Sequence, residues 1–216
     1  MGWRLASGTG YCEVAGELVF FDARRNKYFA LRGDARAAFE RLLMGHPNDS
    51  DAMTRLVRTE LFVRCDGPNS LPSTSISVPT RDLSAEEEGF SLVMAMQIGR
   101  ALYWAKKAMR PERIASTLGE LERKKRKLAV PGAEAMVVDY SRRFAACRWL
   151  APVPPRCLVD ALALDKILIS RGLLATLVFG LRLHPFAAHC WLQSPETILT
   201  GTAADARNFT PILAVG

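Results

Sequence analysis

The chain has 216 residues, 49% of them hydrophobic and 24% charged, which excludes a disordered polymer and suits one large or two small packed domains. Its net charge of +7 admits acidic peptides, nucleotides or nucleic acid as partners, while five cysteines (Cys12, Cys65, Cys147, Cys157, Cys190) without a C-x-x-C pair argue against a zinc framework or a disulfide scaffold. Unbridged thiols fit a reducing compartment, and with no apolar signal-peptide core in residues 1–8 a cytoplasmic location is expected.

Short β segments come first: Tyr11–Val14, Leu18–Asp22 and Lys27–Leu31. Ala23-Arg24-Arg25-Asn26 separates the last two, and Asn26 suits a left-handed turn position, so a hairpin is predicted. A helix over Ala35–Met44 follows, with Ala38, Phe39, Leu42 and Leu43 on one face and Gly45 as its stop. Asp49 or Ser50 can cap a second helix through Arg58, with Met53, Leu56 and Val57 inward. Residues 66–80, rich in Pro and Ser, read as a connection.

Residues 82–132 read as helical. Ser84-Ala85-Glu86-Glu87 is a capping-box pattern, and Phe90, Val93, Met94, Ile98, Ala101 and Leu102 supply an inward stripe that ends at Arg110-Pro111. A second helix covers Glu112–Lys127. Its run Arg123-Lys124-Lys125-Arg126-Lys127 has no interleaved aromatics to stack bases, so it reads as a solvated helix end and no nucleic-acid partner is expected. From 133 onward, helices are predicted over Ala133–Trp149 and Cys157–Arg171, then strands over Leu173–Leu183, Phe186–Gln193 and Thr197–Thr200. The most apolar stretch, Ala161–Leu183, carries Asp165, Lys166, Arg171 and Arg182, so no membrane span is expected.

Two residues of this last region can carry chemistry. Cys157 follows Pro-Val-Pro-Pro-Arg and opens an apolar helix, where the dipole and unpaired amides favour thiolate. His189 lies on the strand after it. Amide hydrolysis by a thiol needs that thiolate, an imidazole to share and return its proton, an oriented ring, and donors for the oxyanion. Cys157 and His189 fill the first two roles, and the amide of Cys157 is a candidate oxyanion donor. A cysteine on a helix start and a histidine on a later strand is the arrangement of papain-like and transglutaminase-like enzymes. The plain alternative is a buried thiol and a core histidine.

Cys157-Leu158, Ala161–Leu164, Arg171-Gly172, Leu177–Gly180 and Pro185–Leu192 together resemble the lasso-peptide B proteins, the leader peptidases of lasso-peptide maturation. Cys190 stands where that family has alanine after its histidine. Glu17–Asp22 and Lys27–Leu31 are similar to the precursor-recognition domain often fused to this peptidase, in which a leader peptide joins the sheet edge as an extra strand. The expected fold class is α+β: a small winged-helix-like β-hairpin/helix domain over 1–72, a linker at 73–81, and a papain/transglutaminase-like domain over 82–216 with a helical N-terminal part at 82–132.

The resemblance implies that Lys27, Tyr28, Phe29, Ala30 and Leu31 bind the leader, flanked by a helix near Asp49–Phe62. It implies two partners, a precursor peptide and an asparagine-synthetase-like lasso cyclase, and also ATP dependence. No G-x-x-x-x-G-K-[ST] loop is present, so no cofactor is read in the chain itself. Family members orient the imidazole with an Asp in an N-D pair after the histidine strand. The ungapped equivalent here is Thr200-Gly201, which leaves Asp205, four residues on, as the candidate third member beside Cys157 and His189. Glu196 is the other nearby carboxylate. The expected activity is a cysteine endopeptidase that removes a leader. The alternatives are a weak or inactive peptide-binding module that delivers precursor to the cyclase, and a DNA-binding regulator, for which the first region offers no basic recognition helix.

Overall fold

The computed structural model describes residues 2–45, 50–84, 91–128 and 133–216. Strands β1 (Gly2–Leu5), β2 (Thr9–Val14), β3 (Glu17–Asp22) and β4 (Lys27–Leu31) are followed by α1 (Gly33–Leu43), α2 (Ser50–Arg58) and β5 (Phe62–Cys65). β2, β3 and β4 form an antiparallel meander with β3 in the middle, and β1 pairs with β5. Asn26 takes φ +50 in the β3–β4 turn, the left-handed conformation its short polar side chain tolerates. The β1–β5 ribbon was not legible, because neither short strand alternates over enough residues to stand out.

Alternation gives the meander two apolar faces. Tyr11, Leu18, Phe20 and Leu31 pack on Ala38, Phe39, Leu42, Leu56 and Phe62, with Phe20 and Phe39 edge to face at 5.0 Å. Leu43 and Val57, expected inward, are instead 44% and 40% exposed, because the buried stripes run through Ala38, Phe39 and Leu42 on α1 and through Leu56 on α2. Asp49 and the side chain of Ser50, the expected caps of α2, lie outside the described residues. The second face, Cys12, Val19 and Phe21, enters the core of the C-terminal half. There Phe21 stacks on Phe179 at 5.3 Å. A side chain on Gly10 would collide with the carbonyl of Ile212, so glycine sets how closely the two sheets approach.

The C-terminal half contains β6 (Arg81–Asp82), α3 (Leu92–Ala108), α4 (Pro111–Lys127), α5 (Glu134–Arg148), α6 (Cys157–Ser170), β7 (Thr176–Leu183), β8 (Phe186–Gln193), β9 (Thr197–Ile198), α7 (Ala203–Ala206) and β10 (Thr210–Val215). The strands lie in the order β10-β7-β8-β9-β6, antiparallel except for the β6–β9 pair. The α+β class read from the sequence holds. Residues 85–87 of the expected capping box, and Phe90, lie outside the described residues; α3 starts at Leu92, with Ser91 Oγ accepting from the Met94 amide at 3.4 Å. Val93, expected inward, is 60% exposed, because the buried stripe is Met94, Ile98, Ala101, Leu102, Ala105 and Ala108.

Helix α6 lies at the centre of this half, buried through Ala161–Asp165 and at Val159, Ile167 and Leu168, between α3 and the sheet. The basic run ending α4 is not solvated throughout. Lys125 is buried, with Nζ 2.9 Å from Asp165 Oδ2 and donating to the carbonyls of Ala175 (2.7 Å) and Val215 (2.8 Å). Three acceptors replace the water this cation loses. Burial pushes the Asp165 carboxyl up to about 6, with Lys125 opposing the shift. The Pro/Ser-rich connection is threaded between the sheets: Thr74 Oγ1 donates to Ile212 O at 2.7 Å, and Ser77 O accepts from Gln193 Nε2 at 2.9 Å. Among the described residues no helix is long and apolar enough to cross a membrane.

Candidate active site

Cys157 is the first residue of α6 and is exposed. Arg156 before it is extended, at φ −147 and ψ 129, so the chain arrives straight and turns into the helix at the thiol. The first amides of any helix lack intrahelical acceptors, which leaves that of Cys157 as a donor at the helix mouth. One turn on, Asp160 accepts from Arg148 Nε at 2.7 Å, and Arg148 Nη2 donates to Val153 O at 2.9 Å. This pair ties the end of α5 and the approach loop to the start of α6. Burial raises the Asp160 carboxyl, and the Arg148 guanidinium pulls it back.

His189 lies on β8 opposite Gly180 of β7. A Cβ on Gly180 would lie 2.8 Å from Trp191 Cζ3 and 2.9 Å from Phe209 Cβ, so glycine lets both rings close over the strand. The imidazole lies 5.1 Å from the Phe209 ring and 5.9 Å from the Trp191 ring. Trp191 is in turn fixed by donating from Nε1 to Gln193 Oε1 at 2.7 Å. His189 is therefore held in an aromatic slot. Its Nε2 is buried and has no hydrogen-bond partner. Burial lowers the pKa of the ring, and the charge of Asp205 raises it by less.

Asp205 makes no hydrogen bond to that ring. Its carboxylate accepts from Thr202 Oγ1 at 2.8 Å and its amide donates to the same hydroxyl at 3.1 Å, which makes the pair the cap of α7. Its effect on His189 is through space. Glu196 faces Arg81 at the surface, 3.4 Å away. The residue that does face Nε2 is Gly201.

A cleft of about 810 Å³ gathers these parts: Cys157, Asp160, His189, Cys190, Thr200 and Gly201 line it, with Arg142, Arg148 and Arg156 on its walls. Thiol and imidazole share the cleft without a hydrogen bond between them; such bonds often tighten only around substrate. Cys190 is buried, and burial, with Cys157 adding to it, pushes its thiol well up, so it stays neutral and inert.

Of the strand expected to bind a leader, β4 pairs only with β3, which leaves its other edge free of named strands. Lys27 and Ala30 are exposed, Tyr28 and Phe29 half-buried and Leu31 buried. Tyr28 stacks on Phe21 at 4.8 Å and meets Phe186 of β8 edge-on at 5.5 Å. Its phenol is pushed up to about 12 by burial, with smaller contributions from Cys190, Cys157 and Cys12, so it lies within electrostatic reach of the exposed thiol. Sequence reasoning did not find Gly180, Phe209 or this link. Gly180 acquires its role only through register with His189, and Phe209 lies beyond the last strand that alternation revealed.

A family model described as the transglutaminase-like superfamily matches residues 98–214, which span α3 to β10 apart from the first turns of α3 and the last residues of the chain, and include both Cys157 and His189. No curated protein and no solved structure matches the chain.

Proposed function

The chain belongs to the transglutaminase-like superfamily, and on that premise we propose that it is a cysteine endopeptidase that removes the leader from a ribosomally made lasso-peptide precursor. The observation that carries this reading is an exposed thiol at the first position of α6 in the cleft that His189 lines. In this scheme His189 takes the thiol proton on Nδ1, the nitrogen not turned to Gly201. The sulfur attacks the scissile carbonyl, and its oxygen takes the displaced electron pair facing the Cys157 amide. Collapse breaks the C–N bond while the imidazolium returns its proton to the leaving amine. Water, deprotonated by the ring, then releases the acyl group from sulfur. The freed amine is the product a macrolactam-forming cyclase needs.

The leader, in this reading, lies along the free edge of β4, with Lys27, Tyr28, Phe29, Ala30 and Leu31 supplying main-chain hydrogen bonds and side-chain contacts. Contact of Tyr28 with Phe186 supports a path from that edge to the strand that bears His189. All five cysteines are unpaired, which suits work in the cytoplasm beside an asparagine-synthetase-like cyclase. ATP belongs to the scheme either through that cyclase or through this chain.

Mass spectrometry of the cognate precursor tests the reading, after incubation with the protein or with Cys157→Ala, with and without ATP and cyclase. A single leader cut that disappears in Cys157→Ala supports it. Intact precursor in every mixture, despite measurable binding, favours a second reading, a peptide-delivery module with a weakened site. The unpartnered Nε2 of His189 is what recommends that second reading.

A further inference from the structure

A second cavity, of about 650 Å³, lies where the two halves of the chain meet and shares no lining residue with the Cys157 cleft. Its walls are the β1–β2 turn, the Pro/Ser-rich connection, α4 and the last residues of β10. The hydroxyls of Ser7, Thr9, Ser70, Ser73, Thr74 and Ser75 line it. Its charged residues are Glu122 and Arg126, paired with each other at 3.3 Å, and Arg4, which is exposed to solvent. No aromatic ring is among the described residues that line it, so nothing there stacks on a base or a sugar face. A hydroxyl-rich wall with little unbalanced charge suits a ligand recognised by hydrogen bonds.

Two sheet edges open into this cavity. Among the described strands β2 pairs with β3 alone and β10 with β7 alone. On β2, the Gly8 carbonyl accepts from the Ala23 amide on the β3 side, while the Tyr11 carbonyl accepts from the Thr74 amide on the outer side. Alternation therefore turns the main chain of Thr9 outward, where its amide donates to Ala6 O at 3.0 Å. On β10, the Ile212 carbonyl accepts from Thr74 Oγ1 on the outer edge at 2.7 Å. Ala214, two residues on, turns its N–H and C=O the same way. The two edges come together at Gly10, where a side chain would collide with the Ile212 carbonyl.

Thr9 supplies the independent sign of a ligand. Its side chain lines the cavity and is only 6% exposed, and its Oγ1 is buried without a hydrogen-bond partner among the described residues. Buried hydroxyls are nearly always bonded, and an orphan one costs stability that a bound donor or acceptor restores. Gly8 and Gly10 on either side leave that hydroxyl unscreened by neighbouring side chains.

We propose that the cavity takes an extended, uncharged polypeptide segment with small side chains, which adds to the outer edge of β10 as a strand. Its carbonyls accept from the Ala214 amide, its amides donate to the Ala214 carbonyl, and Thr9 Oγ1 bonds its other side. A charged side chain would lose its water here without gaining a counter-charge. The site lies at the edge of the meander opposite β4 and does not depend on the peptidase reading.

Amide hydrogen exchange of the full chain, read by NMR, tests it with one probe, acetyl-Ser-Val-Thr-Val-Ser-Ala-amide. In the free protein the Ala214 amide should exchange as an open edge, and saturating peptide should slow it by about tenfold or more. The same peptide N-methylated at every amide should not slow it, nor should maltohexaose. Thr9→Val keeps the shape of the side chain and removes the hydroxyl. It should weaken the peptide about fivefold and leave the urea midpoint of the free chain unchanged or higher, because an unbonded hydroxyl holds nothing. An Ala214 amide protected in the free chain, no slowing with peptide, or unaltered peptide affinity in Thr9→Val each overturns the proposal. Slowing by maltohexaose alone would give the cavity to a carbohydrate, and slowing that follows protein concentration alone would give it to a second copy; either result also overturns it.

Discussion

Gly201 stands against the imidazole of His189: a Cβ added to it would lie 3.7 Å from Nε2, with no other atom within 4 Å. That is the reach from which a carboxylate could accept from Nε2–H, and the position is empty of any side chain. The ring is held by Trp191 and Phe209 but lacks the acceptor that would fix its tautomer. Gly201→Asp should supply that acceptor and, under the proposed peptidase reading, raise the turnover of precursor by about tenfold, less than the roughly 10²–10⁴-fold that general acid–base catalysis contributes as a whole. A neighbouring anion favours imidazolium, so the histidine limb of the pH–rate profile should move to higher pH. The backbone at Gly201 has φ +79, which Asp tolerates better than most residues at about 1 kcal/mol. A folded Gly201→Asp no faster than the parent would show that the acceptor is not what limits the site.

Much of this site is legible in the amino-acid sequence. A cysteine after a proline-rich approach and ahead of an apolar run places a thiol at a helix start, and the boundaries of β8 follow from its sequence. That residue 201 carries no carboxylate, where the resemblance would place one, also follows from ungapped counting. Asp205 is a different matter: proximity in sequence drew attention to it, yet Thr202 is three residues before it and engages its carboxylate as a cap. The buried state of Lys125 was hidden by four exposed basic neighbours, since a run of like charges carries no mark of which member points inward. Shared packing of the meander and the C-terminal sheet was invisible for a related reason. β2 and β3 are apolar on both faces, and sequence does not say what covers the second.

Ring orientation at His189 should depend on its aromatic slot. Phe209→Ala opens one wall, and the expected result is a lower kcat with little change in KM, because the proposed reading puts the leader along β4 and not against this ring. Gly180→Ala drives a methyl against Trp191 and Phe209 and should destabilise the fold by about 1–3 kcal/mol, as overpacking does. The His189 ring resonances by NMR separate the two effects: Phe209→Ala should shift them in a folded protein. An unshifted ring would assign Phe209 to the core alone.

The pH dependence of stability follows from the direction of the His189 shift. Its folded pKa lies below the unfolded value of about 6.5, so the unfolded chain binds more protons as pH falls through that value. The stability His189 contributes is present above about pH 6.5 and is lost as pH falls toward its folded pKa. Asp165 acts in the opposite sense, because its folded pKa is raised: its contribution is complete below the unfolded carboxylate value and lost as pH rises through about 6. Urea midpoints measured from pH 7.5 down to 5 should therefore fall less steeply in His189→Gln than in the parent, by about the histidine's share. Parallel curves would mean that burial of the ring does not shift its titration.

The pair Lys125–Asp165 offers the sharpest test of how the helices are locked to the sheet. Both side chains are essentially without solvent, at 1% and 0% exposure, and Lys125 also holds the carbonyls of Ala175 and Val215. Removing either partner leaves the other charge buried without its counterion, so Lys125→Met and Asp165→Leu should each cost about 3–5 kcal/mol. The double variant has no buried charge and should recover much of either loss, which gives a coupling of the opposite sign to the single effects. Recovery will be incomplete on the lysine side, since Met leaves two buried carbonyls without their donor. Urea unfolding of the four proteins closes this cycle. Additive losses in the double variant would mean that packing around α6, and not the ion pair, holds α4 against β10.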